Sequence, residues 1–346
     1  MVNRHHGEKI LVLGAGSFGT CLAEHLAEKG YHVVVWCRSK EVADALNTTR
    51  KNPKYLSTIN LSPRLSATSI IDRDLLETAS VVVHVTPTQT MREVLGLVKP
   101  FWHEDLLLVC AAKGIEIGTL KLPGGIIADV LGPEVADAAA FLSGPSFATE
   151  IAARQPTAVA VASKSPERAH WAQELFHAPH FRVYTSDDPI GLEVAGALKN
   201  VVAIAAGAVV GMGFQMNSRA ALITRGLAEI TRIGAALGAN PLTFKGLGGV
   251  GDLFLTCTSE KSRNFSVGYR LGRGEDLAST LQSVGVAEGV TTTKAAYELV
   301  QRLGVDAPIT TEVYRVLYEQ KAITQALMDL LTREAKPEFD FDVKPK

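Results

Sequence analysis

The residues best suited to chemistry in this chain are two lysines, an aspartate and a short Ser-Arg-Asn run. Lys199 lies in "GLEVAGALKNVVAIAAGAVVGMGF", where its helical neighbours Ala195, Gly196 and Ala203 are all small and leave room beside it. Burial in such a stretch disfavours the ammonium and lowers its pKa toward the range in which a lysine exchanges protons with a substrate. A packed stem with its head in water explains a lone helical lysine equally well. Lys113 shifts that balance, because it closes "DLLLVCAAK" at the carboxyl end of a strand, where open α/β sheets bind ligands. "GDLFLTCTSEKSRNFSVG" adds Asp252, Ser262, Arg263 and Asn264. A guanidinium flanked by Ser and Asn is shaped to grip a phosphate; a polar loop with Asn264 as a helix cap fits the same spacing. In "SGPSFATE", Gly144 and Pro145 read as a turn. Ser146 there either caps the next helix or offers a hydroxyl to an anionic substrate.

These groups need a scaffold, and two glycine runs compete to be its phosphate cradle. Gly14, Gly16 and Gly19 follow the strand-like "KILVL" and open a segment whose Leu22, Ala23, Leu26 and Ala27 form one helical stripe closed by Gly30. Strand, turn and helix N-terminus are what a pyrophosphate requires. Gly246, Gly248 and Gly251 of "GLGGVG" have no strand before them and Asp252 directly after, so a flexible loop that positions Asp252 is expected there. The second strand ends in "VVVWCRSK". Arg38, with Lys40 close by, stands where an acidic residue would hold the 2'-hydroxyl of NAD, so the chain is expected to use NADPH well. A solvated surface arginine is the alternative.

The wider sequence supports such a scaffold. Its 346 residues, 47% hydrophobic, exceed what one core usually organises. "KILVLG", "HVVVWCR", "SVVVHVT", "DLLLVCAAK", "AAAFLSG", "PTAVAVAS" and "FRVYTS" read as strands buried on both faces of a parallel sheet, giving a doubly wound α/β domain over residues 1–187. Asp187, Asp188 and Pro189 then signal a helix start, and a mostly helical, all-α domain is expected over residues 188–335, with a polar, poorly ordered tail at 336–346. The uncharged run 201–214 is shorter than the roughly 20 residues a bilayer span needs, so a buried helix is expected instead. A formal net charge of −1 offers no field for nucleic acid or an anionic membrane, which points to a small-molecule substrate. Cys21, Cys37, Cys110 and Cys257 show no paired spacing and no leader precedes Ile10, so a cytoplasmic protein is expected. His5 and His6, and His177 and His180, lack partners at ligand spacing and are read as surface or loop histidines, with no metal site.

Taken together, "GAGSFGT", "AAKGIE", "SGPSFATE", "ALKNVVAIAAG", "AALITRGLAEI", "GLGGVGDLFLTCTS", "SRNFSVG" and "AEGVTT" resemble the bacterial NAD(P)-dependent glycerol-3-phosphate dehydrogenase family, in its order, from about Lys9 to Tyr318. The combination of "ALKN", "GDLFLTC" and "SRN" is highly specific, whereas the glycine fingerprint is shared by many dehydrogenases. The resemblance implies a Rossmann-type domain, a helical domain, a homodimer, and reduction of dihydroxyacetone phosphate to sn-glycerol 3-phosphate for phospholipid synthesis. By the same resemblance Ser17, Phe18, Arg38, Lys113, Ala148, Arg263, Val286 and Glu288 match cofactor contacts. Lys113, Gly144, Ser146, Lys199, Asp252, Ser262, Arg263 and Asn264 match substrate contacts. Lys199 matches the general acid/base, with Asp252 orienting it or a substrate hydroxyl, and Lys113 is the next candidate for the proton. "NPKYLSTINLSP" departs from the family by placing Ser57 and Ser62 where prolines are usual, and "TPTQTMR" by Thr86 and Thr88. A related dehydrogenase acting on a sugar acid or keto acid, and an NADP-holding redox sensor, are the competing functions.

Overall fold

The computed structural model describes residues 8–335, 337 and 338; His5, His6 and the rest of the expected tail lie outside the described residues. Eight strands form one sheet: β1 (Lys9–Leu13), β2 (His32–Trp36), β3 (Leu65–Thr68), β4 (Ala79–His84), β5 (Leu107–Cys110), β6 (Ala140–Ser143), β7 (Thr157–Ala162) and β8 (Phe181–Ser186). Their order is β3-β2-β1-β4-β5-β6-β7-β8, and the first six carry the doubly wound order of a dinucleotide-binding sheet. Helices α1 (Ser17–Glu28), α2 (Lys40–Thr49), α3 (Arg73–Glu77), α4 (Thr88–Val98), α5 (Pro123–Leu131), α6 (Pro133–Ala138), α7 (Ala148–Ala152) and α8 (Pro166–Phe176) accompany the strands. The helical part follows as α9 (Pro189–Gly211), α10 (Met216–Ala236), α11 (Asp252–Thr258), α12 (Arg263–Gly272), α13 (Leu277–Val284), α14 (Glu288–Leu303), α15 (Pro308–Tyr318) and α16 (Ile323–Leu331).

Period-two alternation places the central strands. Ile10 and Val12 of β1 pack into one core with Leu22 and Leu26 of α1, while Leu11 and Leu13 pack into another with Met91 and Leu95 of α4. Both faces are thereby covered, as the continuous apolar runs predict. The sheet differs from the strand reading in two places, within its β6-β7-β8 end and at its β3 edge. β7 pairs antiparallel with β6, so the sheet is not wholly parallel, and β3, "LSAT", is a strand with no apolar run to announce it. Only Leu65 of β3 is buried, because an edge strand over α2 has one side in water.

α9 opens where Asp188 accepts the Gly191 N–H at 3.0 Å, with Pro189 in the first turn. It runs 23 residues, long and apolar enough to cross a membrane, so the shorter span read from the sequence underestimates it; 89% of its apolar window is nevertheless buried inside the protein. Its glycines explain the composition. A Cβ on Gly207 would lie 2.0 Å from the Phe265 carbonyl oxygen of α12, and one on Gly268 of α12 would lie 1.8 Å from that of Ile204. The two helices touch backbone to backbone, and α10, α11 and α14 cover the remaining faces of α9.

"GLGGVG" is not a flexible loop. Leu247–Gly251 forms a short wide turn, kinked at Gly249 (φ −91, ψ −106), that leads into α11. Added Cβ atoms at Gly248 and Gly249 would lie 2.1 Å from Leu192 Cδ2 and 2.2 Å from the Phe244 carbonyl oxygen. The glycines serve packing, and the turn does deliver Asp252, buried, to the first position of α11.

Candidate active site

Lys199 sits midway along α9 and is buried, its ammonium directed to α11. Its Nζ donates to Asp252 Oδ1 at 2.6 Å and to Thr256 Oγ1 at 2.9 Å. Lys113, from the loop after β5, donates to Asp252 Oδ2 at 2.8 Å. One carboxylate from the helical part therefore holds two ammonium groups from different parts of the molecule. The Asp252 side chain is 2% exposed, Lys199 9% and Lys113 18%. The small residues beside Lys199 also find their occupant: a Cβ on Gly196 would lie 3.4 Å from Lys113 Cγ, so the Lys113 stem runs over Gly196.

Burial lowers the Lys199 pKa to about 8, the Asp252 charge opposing that shift and Lys113 adding to it. Burial pushes the Asp252 carboxyl up, but Lys113 and Lys199 together outweigh it and hold the group below its ordinary value. Glu288, half-buried at the start of α14, is pushed up to about 7 by burial, against the charges of Arg263, Lys113 and Lys199.

Thr256 has no counterpart among the residues read from sequence. Its hydroxyl donates to the Asp252 carbonyl oxygen at 2.6 Å, which aims a lone pair at Lys199. The spacing Asp252-to-Thr256, one helical turn, was the available signal. Asn200 carries no such signal in the sequence. It accepts at Oδ1 from Asn264 Nδ2 at 2.9 Å, and Asn264 Oδ1 accepts the Gly289 N–H, also at 2.9 Å. Asn264 is thus no helix cap: it ties α9 and α12 to the turn that presents Glu288. The cap of α12 is Ser262, whose Oγ accepts from Phe265 N at 3.2 Å.

Ser146 does not cap a helix either. Its hydroxyl donates to the Gly144 carbonyl oxygen at 2.8 Å, and α7 begins at Ala148, two residues later. Gly144 has φ +146, and a Cβ there would lie 2.9 Å from Val159 Cα, so this turn needs glycine. Arg263 and Arg38 are exposed and make no hydrogen bond or ion pair with the described residues, so both guanidinium groups are available. Lys40 is engaged, pairing with Asp44 at 2.7 Å. Val286 is 62% exposed. Arg38 and Val286 are not brought into contact with the two lysines.

At the carboxyl end of β1 the first glycine run makes the turn into α1. A Cβ on Gly19 would lie 2.0 Å from the Gly14 carbonyl oxygen, so helix and turn close tightly there, whereas one on Gly16 meets nothing within 4 Å. The first turn of α1 has no side-chain cap, leaving the N–H groups of Ser17, Phe18 and Gly19 without intrahelical partners. Bare backbone, open space and unpaired donors fit a dinucleotide pyrophosphate. The Phe18 ring reaches the other group, its centroid 5.9 Å from Lys113 Nζ.

Family models agree with this geometry. The model described as "NAD-dependent glycerol-3-phosphate dehydrogenase N-terminus" matches residues 9–169, and its C-terminal counterpart residues 188–328. A glycerol-3-phosphate dehydrogenase [NAD(P)+] of Geobacter sulfurreducens is 49% identical over 332 residues, 96% of this chain and 99% of that one. One from Staphylococcus aureus is 45% identical over 95% of this chain and 99% of its own length. The crystal structure of the Coxiella burnetii glycerol-3-phosphate dehydrogenase superposes with TM-score 0.90 at 37% identity, covering 95% of this chain and all of that one. A D-mandelate dehydrogenase in complex with NADH, 12% identical with TM-score 0.59, shares the fold alone. With both halves matched and near-full-length relatives close to half identical, the chain belongs to the NAD-dependent glycerol-3-phosphate dehydrogenase family.

Proposed function

We propose that this protein catalyses the reversible NAD(P)H-dependent reduction of dihydroxyacetone phosphate to sn-glycerol 3-phosphate, supplying phospholipid synthesis. The observation that carries this reading is the Lys199–Asp252–Lys113 group, joined through Phe18 to the glycine turn of the dinucleotide-binding sheet. Gly14, Gly16, Ser17, Phe18, Gly19, Arg38, Ala148, Val286 and Glu288 would hold the cofactor, which when bound supplies the hydride.

The lysine geometry supports a proton donor. An ammonium has three N–H donors, and Lys199 commits two, to Asp252 and Thr256. The third is free for the carbonyl oxygen of a substrate, which becomes the alcohol as the proton moves. Lys113 keeps two donors after its bond to Asp252, enough to stabilise negative charge on that oxygen as it develops. Gly144, Ser146, Ser262 and Arg263 are assigned to the substrate, with the free Arg263 guanidinium on its phosphate. Asn264 enters this assignment through Glu288, which it helps to place. The same reading divides the chain at 187/188 and expects a cytoplasmic homodimer. Four buried, free thiols suit a reducing compartment.

Oxidation of NADPH and of NADH by purified protein, followed at 340 nm with and without dihydroxyacetone phosphate, tests the proposal. Turnover that depends on dihydroxyacetone phosphate is expected. Cofactor binding without turnover would instead indicate a sensor, and turnover only with a sugar acid or keto acid would indicate a relative with another substrate.

A further inference from the structure

Asn52 follows α2 and is 0% exposed, although its amide is among the most polar side chains in the protein. Every one of its polar groups is used. Nδ2 donates to the Ala15 carbonyl oxygen at 2.9 Å and to Thr20 Oγ1 at 2.8 Å. Oδ1 accepts the backbone N–H groups of Lys54 and Tyr55 at 3.0 and 3.1 Å. One end of this amide therefore shapes its own turn, and the other reaches the glycine turn between β1 and α1.

The Ala15 carbonyl belongs to the same peptide unit as the Gly16 N–H. The chain has no cis peptide bond, so these two groups point in opposite directions across that unit. Pinning the Ala15 oxygen toward Asn52 turns the Gly16 N–H away from α2. On the Gly16 side there is open space, since a Cβ there would meet nothing within 4 Å. The Ala15 oxygen has a second anchor, Thr20 Oγ1 donating to it at 3.4 Å, and Gly14 N donating to the Trp36 carbonyl oxygen at 2.9 Å fixes the start of the same turn.

We propose that Asn52 is a positioning residue for cofactor binding: by holding the Ala15 carbonyl it orients the Ala15–Gly16 peptide so that the Gly16 N–H faces the pyrophosphate. The inference rests on the reading that the first glycine turn is the dinucleotide cradle. A pyrophosphate is common to both cofactors, so Asn52 acts on NADH and NADPH alike, unlike Arg38, which acts on the 2'-phosphate. Asn52 also differs from a residue that only shapes its own turn, and one substitution separates the two roles. Asn52→Asp keeps an acceptor for Lys54 and Tyr55 but sets a carboxylate oxygen against the Ala15 carbonyl, which repels it.

The test is direct titration of protein fluorescence with NADPH and with NADH, alongside steady-state kinetics and a thermal midpoint without ligand. Asn52→Asp is expected to raise the Kd of both cofactors by the same factor, about 10- to 100-fold. At saturating NADPH, kcat and the KM for dihydroxyacetone phosphate should stay within about twofold, because uniform loss of cofactor binding leaves later steps unchanged. Thr20→Val is the second variant, isosteric and remote from the Lys54–Tyr55 turn. It removes the hydroxyl that accepts from Asn52 Nδ2 and itself donates to the Ala15 carbonyl oxygen at 3.4 Å, so it loosens the same carbonyl and should raise both Kd values about threefold. Parent-like Kd values in a folded Asn52→Asp protein, or in Thr20→Val if the first variant does not fold, would overturn the proposal. So would a loss confined to NADPH. Failure of the parent itself to bind either cofactor would instead overturn the reading of the cradle.

Discussion

At the scale of single residues, Lys199 carries the sharpest expectation. Lys199→Met keeps the length of the stem and removes the ammonium, so NADPH binding should survive while kcat for dihydroxyacetone phosphate reduction falls by about 10²- to 10⁴-fold. Loss within a few-fold would pass the proton to Lys113. The direction of the pH dependence follows from burial. The Lys199 pKa is lowered to about 8, and in the proposed mechanism reduction consumes its proton, so the reductive rate should be level on the acid side and decline as pH rises through about 8. Oxidation of glycerol 3-phosphate needs the neutral amine, and its rate should climb across the same interval. Parallel limbs in both directions would remove Lys199 from the proton step. On the proposed assignment the arginines divide the affinity. Arg38→Asp should weaken NADPH more than NADH, measured as the ratio of their Kd values, and Arg263→Lys should raise the KM for dihydroxyacetone phosphate by losing a bidentate contact. The sequence made Lys113, Lys199 and Asp252 legible because each has an unusual neighbourhood along the chain. Thr256, Asn200 and Asn52 stayed hidden, since a threonine or asparagine looks alike in a loop and in a buried network until its partners, 57, 64 or 37 residues away, are known.

At the scale of elements, the sequence was most informative where periodicity and caps agree, as in β1, α1 and α9, and least where packing alone decides. β3 has one buried apolar residue, and the reversal of β7 is fixed by its neighbours in the sheet, which leave no local trace. The segment after α2 shows how a departure from the family pattern is absorbed. Ser62 stands where the resemblance expects proline, and its N–H donates to both oxygens of Glu24 in α1, at 2.8 and 3.1 Å. Proline has no N–H to give. Glu24 is only 8% exposed, so Ser62→Pro should destabilise the protein by about 1–3 kcal/mol although it restores the common residue. A thermal midpoint equal to or above that of the parent would refute this. A second buried carboxyl joins α5 to α9: Glu193 accepts the Gly124 N–H at 2.5 Å, and burial pushes its pKa up to about 8. Between the unfolded value near 4.5 and about 8 the folded state holds the extra proton, so this group's contribution to stability is present at low pH and is lost as pH rises through 8. Glu193→Gln keeps an acceptor and removes the titration. The fall in thermal midpoint between pH 5 and pH 8 should therefore be smaller in the variant, and an unchanged fall would assign it to other groups.

At the scale of the whole molecule, the site exists only where two independently patterned parts meet. β5 delivers Lys113 at the carboxyl end of the sheet, and the glycine turn before α11 delivers Asp252 from the helical side, beside Lys199 of α9. The helical part supplies Lys199, Asp252 and Thr256 and the sheet supplies Lys113, which is why the sequence named members of the group but did not show their order of contact. Asp252 links them, being the carboxylate shared by both ammonium groups. Asp252→Asn tests that link on two counts. An amide offers a single oxygen to two lysines and turns N–H groups toward a cation, leaving buried positive charge without its counter-ion. Breaking a buried pair in this way costs about 3–5 kcal/mol, so the ligand-free thermal midpoint should drop. The carboxyl is held below its ordinary value of 3.8, so this stabilisation is present above that pH and lost only as pH falls through the lower folded value; the deficit of the variant should hold at neutral pH and narrow in strong acid. The second count is catalytic. Asp252 raises the Lys199 pKa against burial, and Lys113 lowers it, so removing the carboxylate leaves burial and Lys113 opposed only by the smaller influence of Cys257. The decline in reductive rate should then begin at lower pH than in the parent, together with a reduced kcat. A variant that loses stability but keeps the parental pH limb would leave Asp252 as a structural tie alone, and one that keeps both would separate it from the lysines altogether.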